Sequence, residues 1–374
     1  MRVFIAISPR WSGGIFSHLK GILTSGYVPN DIHILVYGTQ RFFDAIGPMD
    51  KNVETIVDNS MSMNPIMMYL WRSRNIPKLL EIYSTDVHFS VQGNLGKWSN
   101  DKIKHVVMSR NLQPHLVVER KRTPLYKFSR IRNEVLHRTL KSGFQRADGV
   151  INLTEYAREI IQSEGVHLKR SVVIPHGASE KFRNHTIVKR NLSKSPVILY
   201  VSDFMEYKFQ WEVVRGVNIV RKNTGIDFQV HLVGCKSSGG WKYLERVLFD
   251  LNYPKWIKIT EHIPYNEIHK VYQTADMFIF ASTVENFPNI LLEAMASGLP
   301  IAYSNRRPMT DILGNDGITF EPEDPQTIAD AFEELLDDDF RYQCALGAYN
   351  RALRYSWERT ARETFDFLKE VYES

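Results

Sequence analysis

The sequence predicts an α/β protein with two doubly wound, Rossmann-like domains that face each other across a cleft. The first observation is that short apolar runs rich in β-branched residues alternate with helical stretches, which indicates parallel sheets covered by helices. The second is that this alternation occurs twice, on either side of a polar stretch at 184–196. The third is the length of 374 residues, which exceeds one ordinary core and suits two domains.

The predicted strands form two series. The first series comprises Val3–Ile7, Ile32–Tyr37, Val87–Val91, His105–Met108 and Gly149–Leu153. The second comprises Val197–Val201, Phe228–Val233, Trp256–Ile259, Met277–Phe280, Ile301–Tyr303 and Ile318–Phe320. Because few core contacts should cross the polar stretch, we predict an N-terminal domain over residues 1–190 and a C-terminal domain over 191–355.

The last segment, 356–374, contains a predicted amphipathic helix from Trp357 to Tyr372. Its apolar residues are spaced so that they fall on one helical face. The residues available for burial are Ala361, Phe365, Phe367, Leu368 and Val371.

Composition indicates a globular, cytoplasmic protein. The chain is 43% hydrophobic and 24% charged, which argues against wholesale disorder. No apolar run approaches the ~18 residues of a membrane span, and the start of the chain, Met1–Ser8, lacks the apolar region of a signal peptide. The cysteines, Cys235 and Cys344, are too few for a disulfide framework, so we expect a reducing compartment.

The two halves of the chain differ in charge. Residues 1–190 contain 28 Lys and Arg against 15 Asp and Glu, hence 28 − 15 = +13, and the remainder has 19 − 27 = −8. Much of the positive charge lies in Glu119–Arg132, where basic residues alternate with Leu125, Tyr126 and Phe128. Three interpretations remain open: a solvated helical face, a contact with an anionic membrane surface, or nucleic-acid binding. No nucleic-acid-binding motif accompanies the charge, so we predict no nucleic-acid partner.

The most informative segment runs from Val284 to Pro300 and joins a predicted strand to a helix. Pro288 suits a first helical position, Gly298 suits a left-handed helix end, and Pro300 prevents continuation. These residues predict a helix from about Pro288 to Ser297. Its N-terminus would present free backbone N–H groups and the positive end of the helix dipole, which together can bind a phosphate.

Two carboxylates belong to this junction. Glu293 lies more than a turn inside the predicted helix, where a carboxylate can accept hydrogen bonds from a ribose. Glu285 lies on the preceding loop and can hold hydroxyl groups of whatever is attached to the phosphate.

Further candidates follow other predicted strands, because ligands of open parallel sheets bind beyond the carboxyl ends of the strands. Gly13 and Gly14 follow the first strand and permit a close backbone approach, although paired glycines also mark ordinary turns. Lys208 follows the first strand of the second series and could reach a diphosphate. His262 and Ile263 lie in a turn whose backbone could contact a base edge, and a plain connecting loop is an equal alternative.

Together these segments resemble the retaining nucleotide-sugar glycosyltransferases of family 4, which have the two-domain GT-B fold. The specific element is the pair Glu285 and Glu293, seven residues apart, within the sequence Glu-Asn-Phe-Pro-Asn-Ile-Leu-Leu-Glu-Ala-Met-Ala-Ser-Gly-Leu-Pro. The resemblance is strongest from Val197 to Phe320. Supporting matches are Gly13-Gly14, Ile198–Lys208, His262-Ile263-Pro264, Ile174–Gly177 and Glu321–Pro325.

The resemblance implies a role for each matched residue. Glu293 would bind the donor ribose, Lys208 and the N–H groups of Asn289 and Ile290 the diphosphate, and Glu285 the sugar ring. Ile263, with His262, would contact the base, and Gly14, with Gly13, would approach the phosphate from the acceptor-binding N-terminal domain. The final helix, 356–374, would cross back to that domain.

Two positions depart from the family pattern. Family members commonly have Gly-Arg where this chain has Ser202-Asp203, which replaces a cation on the diphosphate by an anion; Arg10, Arg306 or Arg307 could compensate. Many relatives place a His-Asp pair where this chain has Arg110-Asn111. An arginine cannot act as a general base near neutral pH, so we expect Arg110 to stabilise phosphate charge.

We predict no metal and no cofactor besides the nucleoside-diphosphate-sugar substrate. The twelve histidines have no close metal-ligand spacing, and Asp337-Asp338-Asp339, although it contains Asp-x-Asp, is expected to be a solvated loop. The predicted function is retaining, metal-independent transfer of a sugar to a hydroxyl of a glycan or lipid-linked acceptor, in surface polysaccharide or glycolipid synthesis at the cytoplasmic face of a membrane. The alternatives are a nucleotide-sugar 2-epimerase and a non-catalytic nucleotide-sugar-binding partner subunit.

Overall fold

A computed structural model gives the fold. It describes residues 1–9, 11, 13–61, 65–96, 102–116, 127–183, 186–189, 191–236, 239–261 and 263–374, with the side chains at 65, 66, 69 and 127–132 excepted. The chain forms two compact units. The first comprises Met1–Gly177 with Ser356–Ser374, and the second comprises Ala178–Tyr355.

The first unit is a parallel sheet with helices. Its strands are β1 (Arg2–Ala6), β2 (His33–Gly38), β3 (Val53–Val57), β4 (Val87–Ser90), β5 (Lys104–Ser109), β6 (Gly149–Asn152) and β7 (Ser171–Val173). The helices described before Gly177 are α1 (Gly13–Leu23), α2 (Gln40–Ile46), α3 (Pro65–Ile82), α4 (Lys127–Arg146) and α5 (Glu155–Ser163). The strand order is β3-β2-β1-β4-β5-β6-β7, so the order reverses between β1 and β4.

The second unit repeats this architecture. Its strands are β8 (Val197–Val201), β9 (Gln229–Val233), β10 (Ile257–Thr260), β11 (Met277–Phe280), β12 (Ile301–Ser304) and β13 (Ile318–Phe320). Its helices are α6 (Gln210–Thr224), α7 (Trp241–Asp250), α8 (Ile268–Gln273), α9 (Asn289–Ala296), α10 (Met309–Leu313), α11 (Pro325–Glu334) and α12 (Asp338–Ala352). The strand order is β10-β9-β8-β11-β12-β13, with the reversal between β8 and β11.

The prediction of two doubly wound parallel sheets is confirmed, and two edge strands were missed. β3, with the sequence Val-Glu-Thr-Ile-Val, has no buried residue, and β7 has three residues that are all partly exposed. Both lie at the edges of their sheet. An edge strand buries little surface, so its sequence lacks the continuous apolar run that identifies a central parallel strand.

The units divide at Gly177, whereas the sequence placed the boundary at 190. Residues after Gly177 pack within the second unit: the ring of Phe182 lies 5.4 Å from that of Tyr272. The side chain of Ile187 lies directly over Gly298. The polarity of 184–196 suggested a linker, but these two apolar side chains attach its first part to the second core.

The triplet Asp337-Asp338-Asp339 is the start of a helix and not the expected loop. Asp337 is the N-cap of α12, and its side chain accepts a hydrogen bond from the backbone N–H of Phe340 at 2.7 Å. Asp338 and Asp339 occupy the first turn. Carboxylates at a helix N-terminus satisfy its free N–H groups and the positive end of its dipole, which gives these acidic residues a structural role.

The C-terminal helix, α13 (Trp357–Tyr372), has the predicted bounds and packs in the first unit. Its residues Ala361, Phe365, Phe367, Leu368 and Val371 are buried as expected. Thr360 donates a hydrogen bond through Oγ1 to the carbonyl of Pro175 at 2.9 Å. Gly21 on α1 lies against the indole ring of Trp357, with no space for a β-carbon.

We predict that Gly21→Ala destabilises the protein. Alanine in place of glycine inside a helix normally stabilises by about 0.5–1 kcal/mol, but here the added methyl group overlaps the Trp357 ring. We expect a net loss of about 1–3 kcal/mol from overpacking, measured by urea unfolding. Gln162→Ala, at an exposed position on α5, is the control, and an unchanged or raised midpoint for Gly21→Ala would contradict the packing.

Candidate functional site

The site begins at the strand reversal of the second sheet. β8 and β11 are neighbours there, with Phe278 opposite Leu199, and their following loops leave from the same edge. Lys208 ends a short 3₁₀ turn, Glu206–Lys208, after β8, and Glu285 lies in the loop after β11. The two side chains form an ion pair and are only 10% and 15% exposed. Two residues predicted separately from the sequence are therefore in contact.

Lys208 is held by the packing around it. The hydroxyl of Tyr200, on β8, donates a hydrogen bond to the Lys208 carbonyl at 2.7 Å. The Lys208 ammonium lies 5.2 Å from the ring centroid of Phe280, the last residue of β11. The backbone N–H of Thr283 donates to the carbonyl of Tyr207 at 2.9 Å, which ties the two loops together. The charge therefore has a defined position at the sheet edge.

Helix α9 begins beside Glu285. Pro288 is its N-cap with an extended ψ of 108°, so the helix starts one residue later than expected. The N–H groups of Leu291 and Leu292 donate to the Pro288 carbonyl at 3.1 and 3.2 Å. Asn289 and Ile290, whose N–H groups the resemblance assigned to the diphosphate, form the first turn. The helix ends as predicted, with Gly298 at a φ of 67°.

Glu293 is a buried carboxyl on α9, 8% exposed. Burial raises its pKa to about 8, and the hydrogen bond from the hydroxyl of Tyr272 opposes that rise. This hydroxyl lies 3.0 Å from Glu293 Oε2. Tyr272, on α8, is fully buried and was not identified from the sequence; a single tyrosine in a helix carries no signal of its tertiary partner.

The residues that the resemblance assigned to the base follow β10 in sequence. Ile263 is half-buried in the loop that follows this strand. β9 lies between β10 and β8 in the same parallel sheet. The loop with Ile263 therefore leaves the same carboxyl edge of the sheet as the loop with Lys208. His262 lies outside the described residues.

Asp203 has a structural partner. Its Oδ1 accepts a hydrogen bond from the backbone N–H of Cys235 at 2.9 Å, which joins the loops after β8 and β9. The proposed compensating arginines are paired with carboxylates: Arg306 with Glu321 at 2.9 Å and Arg307 with Asp311 at 2.9 Å. Arg10 lies outside the described residues. The structure therefore gives Asp203 a role in the loop but brings no arginine of the described part of the chain into the ion pair of Lys208 and Glu285.

In the first unit, Arg110 follows β5 and lies against the start of α1. A β-carbon on Gly14 would be 3.0 Å from Arg110 Nη2, whereas one on Gly13 would meet open space. Arg110 Nη1 is buried and has no hydrogen-bond partner within the described residues. Burial lowers the pKa of Arg110 to about 9, so the group stays cationic at neutral pH. A buried cation beside a helix N-terminus favours an anion.

Two histidines adjoin this cation. His18 Nδ1 lies 3.3 Å from His176 Nδ1, and both rings are buried. Burial first, and then the charge of Arg110, holds the pKa of each imidazole well below its usual value. The two imidazoles are therefore neutral, and they add no positive charge next to the Arg110 cation.

The architecture defines the fold. Two parallel sheets, each with a strand-order reversal, are those of the GT-B fold, and solved structures of this fold match the whole chain. Sucrose-phosphate synthase from Thermosynechococcus elongatus matches with a TM-score of 0.73 and 14% identity, covering 100% of this chain and 99% of that one. Anabaena Alr3699/HepE, in complex with UDP and glucose, matches with a TM-score of 0.71 and 14% identity, covering 99% and 100%. At this identity the likeness establishes the fold alone.

Sequence comparison then finds a family model that matches the second unit. Residues 182–353 match the family model described as "Glycosyl transferases group 1". The matched residues cover nearly all of the second unit, and the match agrees with the glycosyltransferase resemblance recognised from the sequence.

Curated relatives match a shorter part of the chain. A D-inositol 3-phosphate glycosyltransferase from Corynebacterium urealyticum is 28% identical over 241 residues, which is 60% of this chain and 56% of the relative. The O-antigen chain mannosyltransferase B of Escherichia coli is 24% identical over 233 residues, 61% of this chain and 59% of the relative. The matches thus span a little over half the length of these relatives.

We predict that Glu293 makes stability pH-dependent. Its folded-state pKa of about 8 exceeds the usual value of 4.5, so between these values the folded protein holds a proton that the unfolded chain has released. The free energy of unfolding should therefore fall as pH rises through this window, by up to about 1.4 kcal/mol per pH unit.

Denaturant unfolding at pH 5.5 and pH 8 measures this contribution. Glu293→Gln keeps a hydrogen-bond acceptor for Tyr272 and cannot ionise. The free energy of unfolding of the variant, relative to that of wild type, should therefore be higher at pH 8 than at pH 5.5. Glu245→Gln, at an exposed position on α7, is the matched control. Parallel pH profiles for wild type and Glu293→Gln would rule out a raised pKa.

Proposed function

We propose that the protein is a retaining glycosyltransferase that moves a sugar from a nucleoside-diphosphate donor to a hydroxyl acceptor without a metal. The observation that carries this proposal is the contact between Lys208 and Glu285 at the strand reversal of the second sheet, beside the N-terminus of α9. Parallel sheets bind ligands at this position. The group 1 glycosyltransferase match over residues 182–353 supports the same reaction class.

The ion pair suits a diphosphate sugar because such a donor offers a group that each of the two side chains can bind. A diphosphate would attract the Lys208 ammonium and the N–H groups of Asn289 and Ile290, which lie in the first turn of α9. Glu285 would then be free to accept hydrogen bonds from the hydroxyls of the sugar ring. Exchanging one buried ion pair for these contacts avoids leaving either charge unpaired in a low-dielectric site.

The nucleoside would bind further along the same edge. Glu293 would accept hydrogen bonds from the ribose hydroxyls, and the backbone at His262 and Ile263 would contact the base. Burial raises the pKa of Glu293 and so favours its protonated form. Ribose binding would favour the ionised form instead, because a carboxylate accepts hydrogen bonds from hydroxyls more strongly than a carboxylic acid does.

Sugar transfer needs stabilisation of the charge that develops on the departing phosphate. Lys208 and the first N–H groups of α9 would supply it. We assign no protein nucleophile: the acceptor hydroxyl would attack from the face that the phosphate leaves, with the phosphate taking its proton, which retains the anomeric configuration. Within the first unit, the Arg110 cation beside the helix N-terminus at Gly13 and Gly14 would itself favour an anion such as phosphate.

The acceptor is a glycan or a lipid-linked saccharide in this proposal. The named relatives act in inositol phosphate and O-antigen glycosylation, and the first half of this chain has a net charge of 28 − 15 = +13. That charge favours an anionic acceptor or membrane surface, so we place the enzyme on the cytoplasmic face of a membrane. No helix in the described part of the chain has the length and apolar character of a membrane span.

We predict that Lys208→Gln lowers kcat/KM by about 10²–10³-fold, the usual effect of losing one donor that stabilises developing negative charge. Glutamine keeps a hydrogen-bond donor for Glu285, which limits the destabilisation from an unpaired buried carboxylate. Donors are first selected by thermal shift, since a bound donor stabilises the folded state. Transfer is then followed by product analysis, with NMR of the new anomeric centre and with EDTA present.

Lys222→Ala, at an exposed position on α6, should leave kcat/KM unchanged. Isomerisation of the donor without transfer would favour the 2-epimerase alternative. Donor binding without turnover by the wild type would favour a binding subunit. Equal kcat/KM for wild type and Lys208→Gln would remove Lys208 from the site.

We also predict that charge reversal at Arg120, Lys121, Arg122 and Lys127 abolishes binding to vesicles that contain anionic lipid. These positions lie outside the described residues or side chains, but α4, which begins at Lys127, exposes Val135 and Leu136, which are 59% and 36% accessible. Basic residues beside exposed apolar ones favour anionic headgroups. Co-sedimentation with vesicles measures the effect.

The matched control reverses four basic residues of the second unit, Lys194, Lys222, Lys242 and Lys255, which are exposed. This variant should retain vesicle binding. Unchanged binding by the first variant would remove the membrane contact.

A further inference from the structure

Three side chains with metal-ligand chemistry meet in the first unit. His115 lies on the loop after β5, His137 on α4, and Glu164 at the C-terminal end of α5. His115 Nδ1 lies 3.0 Å from Glu164 Oε2, and His137 Nε2 lies 2.8 Å from Glu164 Oε1. One ligand atom from each residue lies within 4.8 Å of the others. The residues are far apart in sequence, so their spacing gave no indication of a metal site.

The surrounding structure positions each of these side chains. The buried ring of His115 packs against Phe144 and His137, with ring centroids 5.7 and 5.1 Å apart. Its backbone N–H donates to the Leu112 carbonyl at 2.8 Å in a turn. Lys141 Nζ donates to the backbone carbonyl of Glu164 at 2.6 Å, which joins α4 to the end of α5. The Lys141 ammonium therefore binds the backbone carbonyl of Glu164, next to the carboxylate side chain of the same residue.

Two imidazole nitrogens and a carboxylate oxygen are a common ligand set for Zn²⁺, with metal–ligand distances of about 2.0–2.2 Å. Ligand atoms around a tetrahedral ion are about 3.3–3.5 Å apart at such distances. The observed separations of 2.8 and 3.0 Å run to different oxygens of Glu164, and one ligand atom from each residue lies within 4.8 Å of the others. Surrounding one ion would therefore require side-chain shifts of about an ångström. The carboxylate already faces both imidazoles, which is the arrangement in which an ion can replace the protons between them.

We propose that His115 Nδ1, His137 Nε2 and Glu164 bind one Zn²⁺ ion, with water completing the coordination. The site shares no residue with those proposed to bind the donor, and it does not depend on the proposed function. His115 precedes the basic segment Glu119–Arg132 and His137 follows it. The ion would therefore join the two ends of that segment, as a metal that closes a loop stabilises the folded chain.

Calorimetric titration of the full-length, chelator-treated protein with Zn²⁺ tests the site. We expect one equivalent to bind, with the affinity lowered roughly tenfold or more in His137→Ala and in Glu164→Gln. Glu164→Gln keeps hydrogen-bonding capacity for the imidazoles and so preserves the fold. His167→Ala, at an exposed position in the same unit, is the matched control and should bind as wild type does.

Cobalt substitution supplies a second readout. Co²⁺ bound by two imidazoles and a carboxylate should give visible absorption bands that Zn²⁺ abolishes and that His137→Ala lacks. Absence of stoichiometric Zn²⁺ binding, or equal affinity in His137→Ala, Glu164→Gln and His167→Ala, would overturn the proposal and leave a hydrogen-bonded His–Glu–His cluster.

Discussion

The structure depends on the parallel pairing of strands within each sheet. Because neighbouring strands run in the same direction, their carboxyl ends lie at one edge, and at a reversal of strand order the following loops diverge and leave a crevice. In the second sheet this reversal lies between β8 and β11. The residues of two loops far apart in sequence, Lys208 and Glu285, meet there, and α9 begins beside them.

The charged groups at this edge of the second sheet are largely buried. Lys208 and Glu285 compensate each other, whereas Glu293 has a neutral partner, Tyr272. A carboxyl in such surroundings is costly to ionise, which explains its raised pKa. Groups of this kind are expected where ligand contacts replace solvent. Arg110 in the first unit has the same character with the opposite sign, since its buried Nη1 has no partner within the described residues.

The sequence predicted those parts of the fold whose local pattern and burial agree. The central strands carry continuous apolar runs, and α13 carries an apolar stripe that the structure buries. The edge strands β3 and β7 were missed because none of their residues is buried. The boundary at 190 differs from Gly177 because polar composition does not reveal that Phe182 and Ile187 pack into the second unit.

The sequence by itself determined the sheet pattern, the C-terminal helix and the junction from Glu285 to Gly298. These depend on residues close together in the chain, through helix-ending chemistry and the periodicity of apolar side chains. Only the tertiary structure decided that Lys208 pairs with Glu285, that Tyr272 contacts Glu293, and that Asp203 joins two loops. It likewise brought together His115, His137 and Glu164. Such contacts join separate elements, and their distances depend on how helices pack on the sheet, which no local pattern encodes.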